Sequence, residues 1–309
     1  VYTTMKARFY HQFLHRTIKD LRCDTCLRTK NPGAGFGHHP PRDASFLPWE
    51  EVAVDCIGPW RIHFGNQEVE FRALTCIDMT TNLVELVRID NTQSAHVTSK
   101  FENTWLARYP WPRRVIQDNG SEFTGFEFQR MLRQCGIKSV ATTSRNPQAN
   151  AVCERMHQTV ANIIRTFLYA HPPQNLNSAA EIVDEALAVA MHATRCAMSE
   201  PLGTTPGAMA FNRDMFLNLP LVADLQAIRT RRQQLIDNSA IRQNARRRSY
   251  DYEVGQQVLI YAEDPRKLEA RAEGLYTIEQ VHVNGTISIR RTPHVVERIN
   301  IRRVMPYRT

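Results

Sequence analysis

Residues 50–58 read EEVAVDCIG, a run in which apolar and other side chains alternate before a glycine. An alternation with a period of two is typical of a β-strand. Two further β-rich runs follow, residues 68–78 (EVEFRALTCID) and residues 83–89 (LVELVRI), and the turn sequence MTTN separates them. The sequence therefore predicts three consecutive antiparallel strands.

Helices and strands alternate after this antiparallel meander. The pattern predicts a helix over residues 94–109 and a short strand over residues 113–118, which ends on an aspartate. A helix over residues 122–136 and a strand over residues 137–143 follow. Such alternation indicates a mixed α/β sheet that is covered on both faces by helices.

A long amphipathic helix is predicted over residues 152–171. At about 100° per residue, one face of this helix is apolar and is expected to join the core. That face carries Val152, Met156, Val160, Ile163 and Phe167. Further on, residues 179–196 read as a helix and residues 221–249 as a charged connecting helix. The last 60 residues contain four short runs with the spacing of a small β-barrel.

Composition and charge restrict the class of protein. The apolar fraction of 42% and the charged fraction of 23% are those of a globular chain, and no stretch resembles a membrane span or a secretion signal. Seven cysteines, mostly scattered, favour a reducing compartment. The net charge of +8 is concentrated in residues 1–43 and 229–309. Two basic flanks around a mildly acidic centre fit a protein that binds a polyanion at its ends and a divalent metal in its middle. The alternative is ordinary solvated surface charge.

Three carboxylates stand at the ends of predicted core elements. Asp55 lies on the first strand, Asp118 closes a strand, and Glu154 lies near the start of the long helix. Each alone is more often a turn or cap residue. If the first and fourth strands are neighbours, however, the three side chains meet in one cleft. Clustered carboxylates repel one another, so two magnesium ions are the expected counter-charge, which indicates phosphodiester chemistry.

A polar loop, RNPQANA, precedes the helix that carries Glu154. We expect it to lie beside the scissile strand, with Gln148 and Asn150 as amide donors and Arg145 as a phosphate partner. The alternative is a loop rich in capping residues, in which Asn150 starts the helix.

These motifs resemble a known family. VDCIGPW, VIQDNGSEF and NPQANAVCERMHQT, with 35 residues between Asp118 and Glu154, resemble the catalytic core of retroviral and LTR-retrotransposon integrases, most of all the gypsy type. CDTCLRTK resembles the end of the N-terminal zinc-binding domain of that family. The C-terminal sequence resembles its SH3-like barrel, although its Gly-Pro-Tyr/Phe motif here reads Gly274, Leu275, Tyr276 and lacks the proline.

The resemblance implies a ribonuclease H-like core in which Asp55, Asp118 and Glu154 bind two Mg²⁺ or Mn²⁺ ions. It also implies an enzyme that trims the 3′ ends of retroelement DNA and then joins each 3′-hydroxyl to target DNA. The organisation that follows is a partial N-terminal zinc-binding domain (1–30), a linker (31–50), the catalytic core (51–212), a basic helical linker (213–249) and an SH3-like DNA-binding barrel (250–309).

A zinc site is expected from Cys23 and Cys26. His11 and His15 stand at helical i, i+4 spacing only seven residues before Cys23, and two histidines with two thiolates would make a closed tetrahedral site. In the related family the histidines lie farther upstream. The alternative is therefore that the histidine ligands precede Val1, which fits our expectation that the chain is a piece of a longer polyprotein.

Further DNA contacts are expected from the polar face of the long helix and from the basic linker. The former includes Arg155, Gln158 and Arg165, and the latter includes Arg246 and Arg247 among the seven arginines of residues 229–248. A solvated helix face is the alternative for the arginines. His157 either contacts DNA or lies at the core edge, whereas Asp78 in CIDMTT is expected to be a turn residue.

The predicted function is integration of retroelement DNA into double-stranded target DNA. Joining two ends to opposite strands requires at least two active sites, so we expect a homo-oligomer on DNA, with chromatin as a further partner and no membrane. A nuclear and cytoplasmic location, in a retroelement particle, is expected. Two alternatives remain: a ribonuclease H-like nuclease without strand transfer, and a non-catalytic DNA- or chromatin-binding protein derived from an integrase.

Overall fold

A computed structural model of the chain describes residues 5–20, 24–30, 33–43, 47–64, 66–141, 151–200, 202–217, 224–262 and 265–307. The chain divides into two compact units: residues 1–41 together with 239–309, and residues 42–238. Each unit contains one five-stranded sheet, and the fold is mixed α/β. Among the helices of the described residues, none combines the length and apolar character that crossing a bilayer requires.

The sheet of residues 42–238 has the strand order β3-β2-β1-β4-β5. Its strands are β1 (Glu51–Phe64), β2 (Gln67–Asp78), β3 (Val84–Ile89), β4 (Arg114–Gln117) and β5 (Lys138–Ala141). The first three strands pair antiparallel, whereas β4 pairs parallel with both β1 and β5. The predicted antiparallel meander and the adjacency of the first and fourth strands are thus present.

Helices cover both faces of this sheet. The helices of the unit are α3 (Ser94–Phe101), α4 (Ser121–Thr124), α5 (Phe126–Gln134), α6 (Ala151–Ala170), α7 (Leu176–Cys196) and α8 (Pro206–Phe211). One core layer joins the sheet to α6 and α7, and the other joins it to α3, α4 and α5. Consecutive side chains of β1 pack on opposite faces of the sheet: Ala53 belongs to the first core layer and Val54 to the second.

Two predicted helices differ in detail from the structure. The segment 94–109 begins as α3 and continues as a π-helix over Glu102–Leu106. The segment 122–136 divides into α4 and α5 at Gly125, whose ψ of 154° is not helical. A Cβ at position 125 would stand only 2.3 Å from Oγ of Ser94, so the close approach of α3 requires glycine there.

The turn after β2 depends on a buried carboxylate. Asp78 accepts hydrogen bonds from the Trp49 amide, the Thr81 amide and the Thr81 hydroxyl, at 2.9, 2.7 and 2.7 Å. Burial is the main cause that raises the pKa of Asp78 above its ordinary value. The prediction that Asp78 is a turn residue is therefore confirmed.

The sheet of the second unit is antiparallel, in the order β10-β6-β7-β8-β9. Its strands are β6 (Gln257–Tyr261), β7 (Ala272–His282), β8 (Thr286–Thr292), β9 (Val295–Asn300) and β10 (Val304–Pro306). The predicted fourth strand is divided by a 3₁₀ turn over Ile301–Arg303, which gives five strands where four were predicted. The last strand pairs with the first, and the core is rich in isoleucine and valine.

N-terminal segments pack on this second sheet. The helices here are α1 (Leu14–Asp20) and α2 (Asp24–Thr29). Leu27 of α2 packs against a cluster that contains Leu259 and Met305, and the Arg28 side chain donates to the Gly274 carbonyl. Residues 33–41 belong to the predicted linker (31–50), and the backbone of Gly35, Gly37 and His39 is hydrogen-bonded to residues 244–248.

Arg247 holds that backbone in place. Its guanidinium donates to the carbonyls of Phe36 and Gly37, and to that of Ile301 at 3.2 Å. Asn244 adds a reciprocal pair with the backbone of His39, at 2.8 and 3.1 Å. Asn244 ends α9 (Leu225–Asn244), the charged helix that the sequence predicted. Arg247 was predicted to contact DNA, and the structure gives its guanidinium an internal role.

Replacing Arg247 with alanine is expected to destabilise the unit of residues 1–41 and 239–309. The variant loses three hydrogen bonds from a charged donor, and the part-buried carbonyls that accepted them lose this partner. We expect the free energy of unfolding to fall by about 2–3 kcal/mol. Hydrogen exchange of residues 33–41 and the unfolding midpoint would measure the effect, and we expect faster exchange and a lower midpoint.

Arg246→Ala is the matched control, since the Arg246 side chain is exposed. We expect a change within about 0.5 kcal/mol for this variant. Unchanged exchange in Arg247→Ala, together with a larger loss of DNA affinity than in Arg246→Ala, would instead support a direct DNA contact by Arg247.

Candidate functional site

The parallel pairing of β1 with β4 brings two aspartates together. The last paired residues are Ala53 and Ile116. Asp55 lies two residues after Ala53, and Asp118 lies two residues after Ile116. Because side chains alternate along a strand, both aspartates lie on the same side of the sheet as Ala53 and Ile116. That side is the one covered by α6 and α7.

The start of α6 lies beside Asp55. His157, on the second turn of α6, has its Nδ1 atom 3.9 Å from Oδ2 of Asp55, and each side chain is 19% exposed. Glu154 stands one turn earlier in the same helix. The side chain of Glu154 lies outside the described part of the structure, but the helix backbone brings position 154 to this end of the sheet.

Backbone amides orient both aspartates. The Cys56 amide donates to Oδ1 of Asp55 at 2.8 Å, and the Gly120 amide donates to Oδ1 of Asp118 at 2.9 Å. Each hydrogen bond fixes the orientation of the carboxylate that accepts it. Asp118 is exposed, whereas Asp55 is half-buried at the edge of the core.

A third described carboxylate, Glu122, belongs to the same cluster. Burial, followed by the negative charges of Glu122, Asp55 and Asp118, raises the pKa of the Cys56 thiol well above its ordinary value. The thiol is therefore neutral and surrounded by these acids. The sequence analysis did not predict a role for Glu122. Its position only four residues after Asp118 could have indicated that the two carboxylates lie close together.

His157 is neutral at this site. Burial lowers its pKa to about 4, so the contact with Asp55 is not an ion pair at neutral pH. Its Nε2 atom is buried and makes no hydrogen bond to the described residues. Of the two interpretations of His157 in the sequence, the one at the core edge agrees with this position.

The donor set fits a hard divalent cation. Asp55 and Asp118 each follow the last paired residues of two neighbouring strands, and Glu154 lies on the adjoining helix. Carboxylate oxygens are the ligands that Mg²⁺ prefers, and positive charge would relieve the repulsion among them. Within the side chains that the structure describes, no three acids, histidines or cysteines already form a metal cluster, and Glu154 is not among those side chains.

The other predicted DNA contacts divide into three groups. Gln158 and Arg165 are exposed on α6, and Nη1 of Arg165 donates to the Asn162 amide oxygen at 2.7 Å. The polar loop with Arg145, Gln148 and Asn150 falls in residues 142–150, outside the described residues, as does the Arg155 side chain. Arg246 is exposed.

Among the residues that the structure describes, the predicted zinc ligands do not form a metal-binding group. Cys26 is half-buried in α2, and Cys23 lies outside the described residues. His11 and His15 are exposed, and Nδ1 of His11 accepts a hydrogen bond from the Phe13 amide at 3.2 Å. The zinc site therefore stays a prediction.

Sequence relatives are transposon polyproteins. The chain is 38% identical over 149 residues to the retrovirus-related Pol polyprotein from transposon TNT 1-94 of Nicotiana tabacum, which covers 47% of this chain and 11% of that polyprotein. It is 23% identical over 169 residues to the transposon Tf2-3 polyprotein of Schizosaccharomyces pombe, covering 53% of this chain and 12% of that polyprotein. The matched region thus spans about a tenth of these relatives. No protein-family model matches the chain.

A solved structure shares the fold. The simian T-cell lymphotropic virus intasome, solved in complex with PP2A regulatory subunit B56 gamma, contains a chain that superposes with a TM-score of 0.68 and 13% identity. The superposition covers 99% of this chain and 95% of that chain. The protein is therefore related in sequence to retrovirus-related transposon polyproteins and has the fold of a chain in a retroviral intasome.

Gly120→Ala is expected to disturb the carboxylate cluster without unfolding the protein. A Cβ at position 120 would stand 2.8 Å from Oε2 of Glu122 and 2.9 Å from Oδ1 of Asp118, while the backbone at Gly120 has a φ of −58°, which alanine adopts readily. The side chains must move, so we expect divalent metal binding to weaken by roughly tenfold or more.

Titration calorimetry with Mn²⁺ would measure this effect, with thermal unfolding as a check on the fold. Ser121→Ala changes the next residue, removes only a long hydrogen bond of 3.5 Å from the Ser121 hydroxyl to Oε2 of Glu122, and adds no atom near either carboxylate. It should therefore bind Mn²⁺ within about twofold of the wild type. Equal affinity in Gly120→Ala and wild type would show that Asp118 and Glu122 do not form part of the metal site.

Proposed function

We propose that this chain, a relative of transposon Pol polyproteins with the fold of a chain in a retroviral intasome, is the integrase of an LTR retrotransposon. It would act as a polynucleotidyl transferase that trims the 3′ ends of retroelement DNA and joins them to double-stranded target DNA. The observation that carries the proposal is the register of β1 and β4, which sets Asp55 and Asp118 side by side where the helix of Glu154 begins.

Asp55, Asp118 and Glu154 are proposed to hold two Mg²⁺ or Mn²⁺ ions. When bound, such ions activate an oxygen nucleophile and stabilise the leaving oxygen in an in-line displacement at phosphorus. Water is the nucleophile for trimming, and the 3′-hydroxyl of the DNA is the nucleophile for joining. One site serves both steps because each is an attack on a phosphodiester.

The protein's own groups prepare this site. The amides of Cys56 and Gly120 hold the two aspartate side chains in position, so little reorganisation is required when substrate arrives. His157 limits the space beside Asp55 as a neutral ring. We assign phosphate binding to Gln158, Arg165 and the residues of the preceding loop, Arg145, Gln148 and Asn150, with Arg155 on the first turns of α6.

The remaining parts of the chain are proposed to bind and organise DNA. The C-terminal antiparallel sheet would be an SH3-like barrel, with Arg246 next to it as a phosphate contact, and Cys23 and Cys26 would contribute to a zinc site. The working form would be a homo-oligomer on DNA, because two ends must be joined to opposite strands. A nuclear and cytoplasmic location, with chromatin as a partner, belongs to the same proposal.

The decisive experiment is a disintegration assay in Mg²⁺. A labelled oligonucleotide that mimics the product of strand transfer is resolved by one active site, so it does not require complete assembly on two DNA ends. We expect the wild type to resolve it. Asp118→Asn, Asp55→Asn and Glu154→Gln should each reduce the rate by at least about a hundredfold, because each removes a charged ligand.

Binding of the same oligonucleotide provides the control. All three variants should bind it within about threefold of the wild type, because DNA affinity depends mainly on phosphate contacts elsewhere. Activity that persists in Glu154→Gln would refute the assignment of the site. Salt-sensitive DNA binding without any resolution by the wild type would favour the non-catalytic alternative, and cleavage of DNA without joining would favour a simple nuclease.

A further inference from the structure

The outer face of α6 forms a continuous exposed stripe. Its members are Gln158, Asn162, Arg165 and Tyr169, and all four are exposed. They are spaced by four, three and four residues, and position 154 precedes the first by four. At about 100° per residue these five positions share one side of the helix. The stripe therefore starts at the helix position of the proposed catalytic glutamate.

The opposite face of α6 is fixed in the core, so the stripe cannot turn inward. Val160 and Ile164 are completely or almost completely buried, at 0% and 2% exposed. Met156, Ile163 and Phe167 pack partly against the same cluster. The orientation of the outer face is thus set by the packing of the inner face.

Charge along the stripe favours a polyanion. After Glu154, α6 contains no acidic residue, and Arg165 contributes a positive charge with its guanidinium directed at the Asn162 amide oxygen. The next helix, α7, exposes Glu181 and Glu185 instead. A phosphate backbone would therefore be attracted to the outer face of α6 and repelled by the outer face of α7.

Tyr169 stands at the far end of the stripe and is 91% exposed. The ring and the hydroxyl of Tyr169 are therefore accessible to a partner, and tyrosine combines a contact surface with a hydroxyl donor. Tyrosine hydroxyls are common donors to the phosphate oxygens of DNA.

We propose that Tyr169 is a DNA-positioning residue whose hydroxyl donates to a backbone phosphate of the strand held along α6. The 15 residues from position 154 correspond to about 22 Å along the helix axis, or about six base pairs of duplex. Tyr169 thus sets the register of the duplex at a distance from the scissile phosphate. This inference rests on the proposed function, because it takes the DNA substrate as the occupant of the stripe.

Position-specific cross-linking tests the proposal in the full-length chain. Cysteine would be introduced by Tyr169→Cys, and separately by Gln158→Cys, and each variant mixed with duplex DNA that carries a thiol tether at one chosen nucleotide. The Tyr169→Cys variant should cross-link best with the tether about six nucleotides from the scissile phosphate. Gln158→Cys should cross-link best close to that phosphate. Glu181→Cys on α7 and the parent chain, with its native cysteines, are the controls and should give only background.

A second measurement isolates the hydroxyl. Tyr169→Phe keeps the ring and removes only the donor, so we expect DNA affinity to fall by about threefold to tenfold, and Tyr169→Ala to lose little more. If Tyr169→Phe binds like the wild type while Tyr169→Ala is weaker, the ring and not the hydroxyl contacts DNA, and the proposed hydrogen bond is wrong.

The cross-linking outcomes separate this inference from the proposed function. Cross-linking at Gln158→Cys but not at Tyr169→Cys would overturn the role of Tyr169 and leave the active site as proposed. Background levels at both positions would overturn the stripe as a DNA surface, and the disintegration assay would then decide the proposed function independently. Cross-linking of Tyr169→Cys to a second protein copy instead of DNA would identify the stripe as a protein interface.

Discussion

The parallel pairing of β1 with β4 is the constraint on which the candidate site depends. The three strands β1 to β3 form a local meander, but β4 reaches β1 only after the connection through α3 and the π-helix has crossed one face of the sheet. Two residues beyond the last pair, the chain supplies an aspartate on each strand. A shift of one residue in either strand would move its aspartate to the opposite face of the sheet, away from α6.

Negatively charged carboxylates that lie close together repel one another, and the fold offsets only part of this repulsion. The negative charges of Glu122, Asp55 and Asp118 all help to raise the pKa of the Cys56 thiol, so each of them lies near that thiol. Backbone amides of Cys56 and Gly120 offset some of the repulsion. Cations that bind from solvent would reduce the repulsion that remains.

In the unit of residues 1–41 and 239–309, a positive net charge does not by itself show that the arginines bind nucleic acid. Many of its arginines make internal contacts. Arg291 donates to Glu273 and Glu297, both at 2.6 Å, and lies over the Tyr276 ring with its guanidinium carbon 4.8 Å from the centroid. Arg302 donates to His39 and Gln243, and Arg247 to three carbonyls. An arginine-rich sequence can therefore indicate internal hydrogen bonds and ion pairs as well as binding to nucleic acid. The contacts that each arginine makes in the folded chain distinguish the two roles.

The strands of the meander, the long amphipathic helix and the candidate carboxylates Asp55, Asp118 and Glu154 could be predicted from the amino-acid sequence. These features depend on local periodicity and on the residue type at the ends of helices and strands. Three other features became visible only in the folded chain: Glu122 lies near Cys56 together with the aspartates, His157 lies beside Asp55, and Arg247 binds the carbonyls of residues 36 and 37. Each of these depends on groups brought close by folding: Arg247 and Gly37, for example, are 210 residues apart in the chain. Local patterns carry no information about such distant partners, so their roles appear only when the chain is folded.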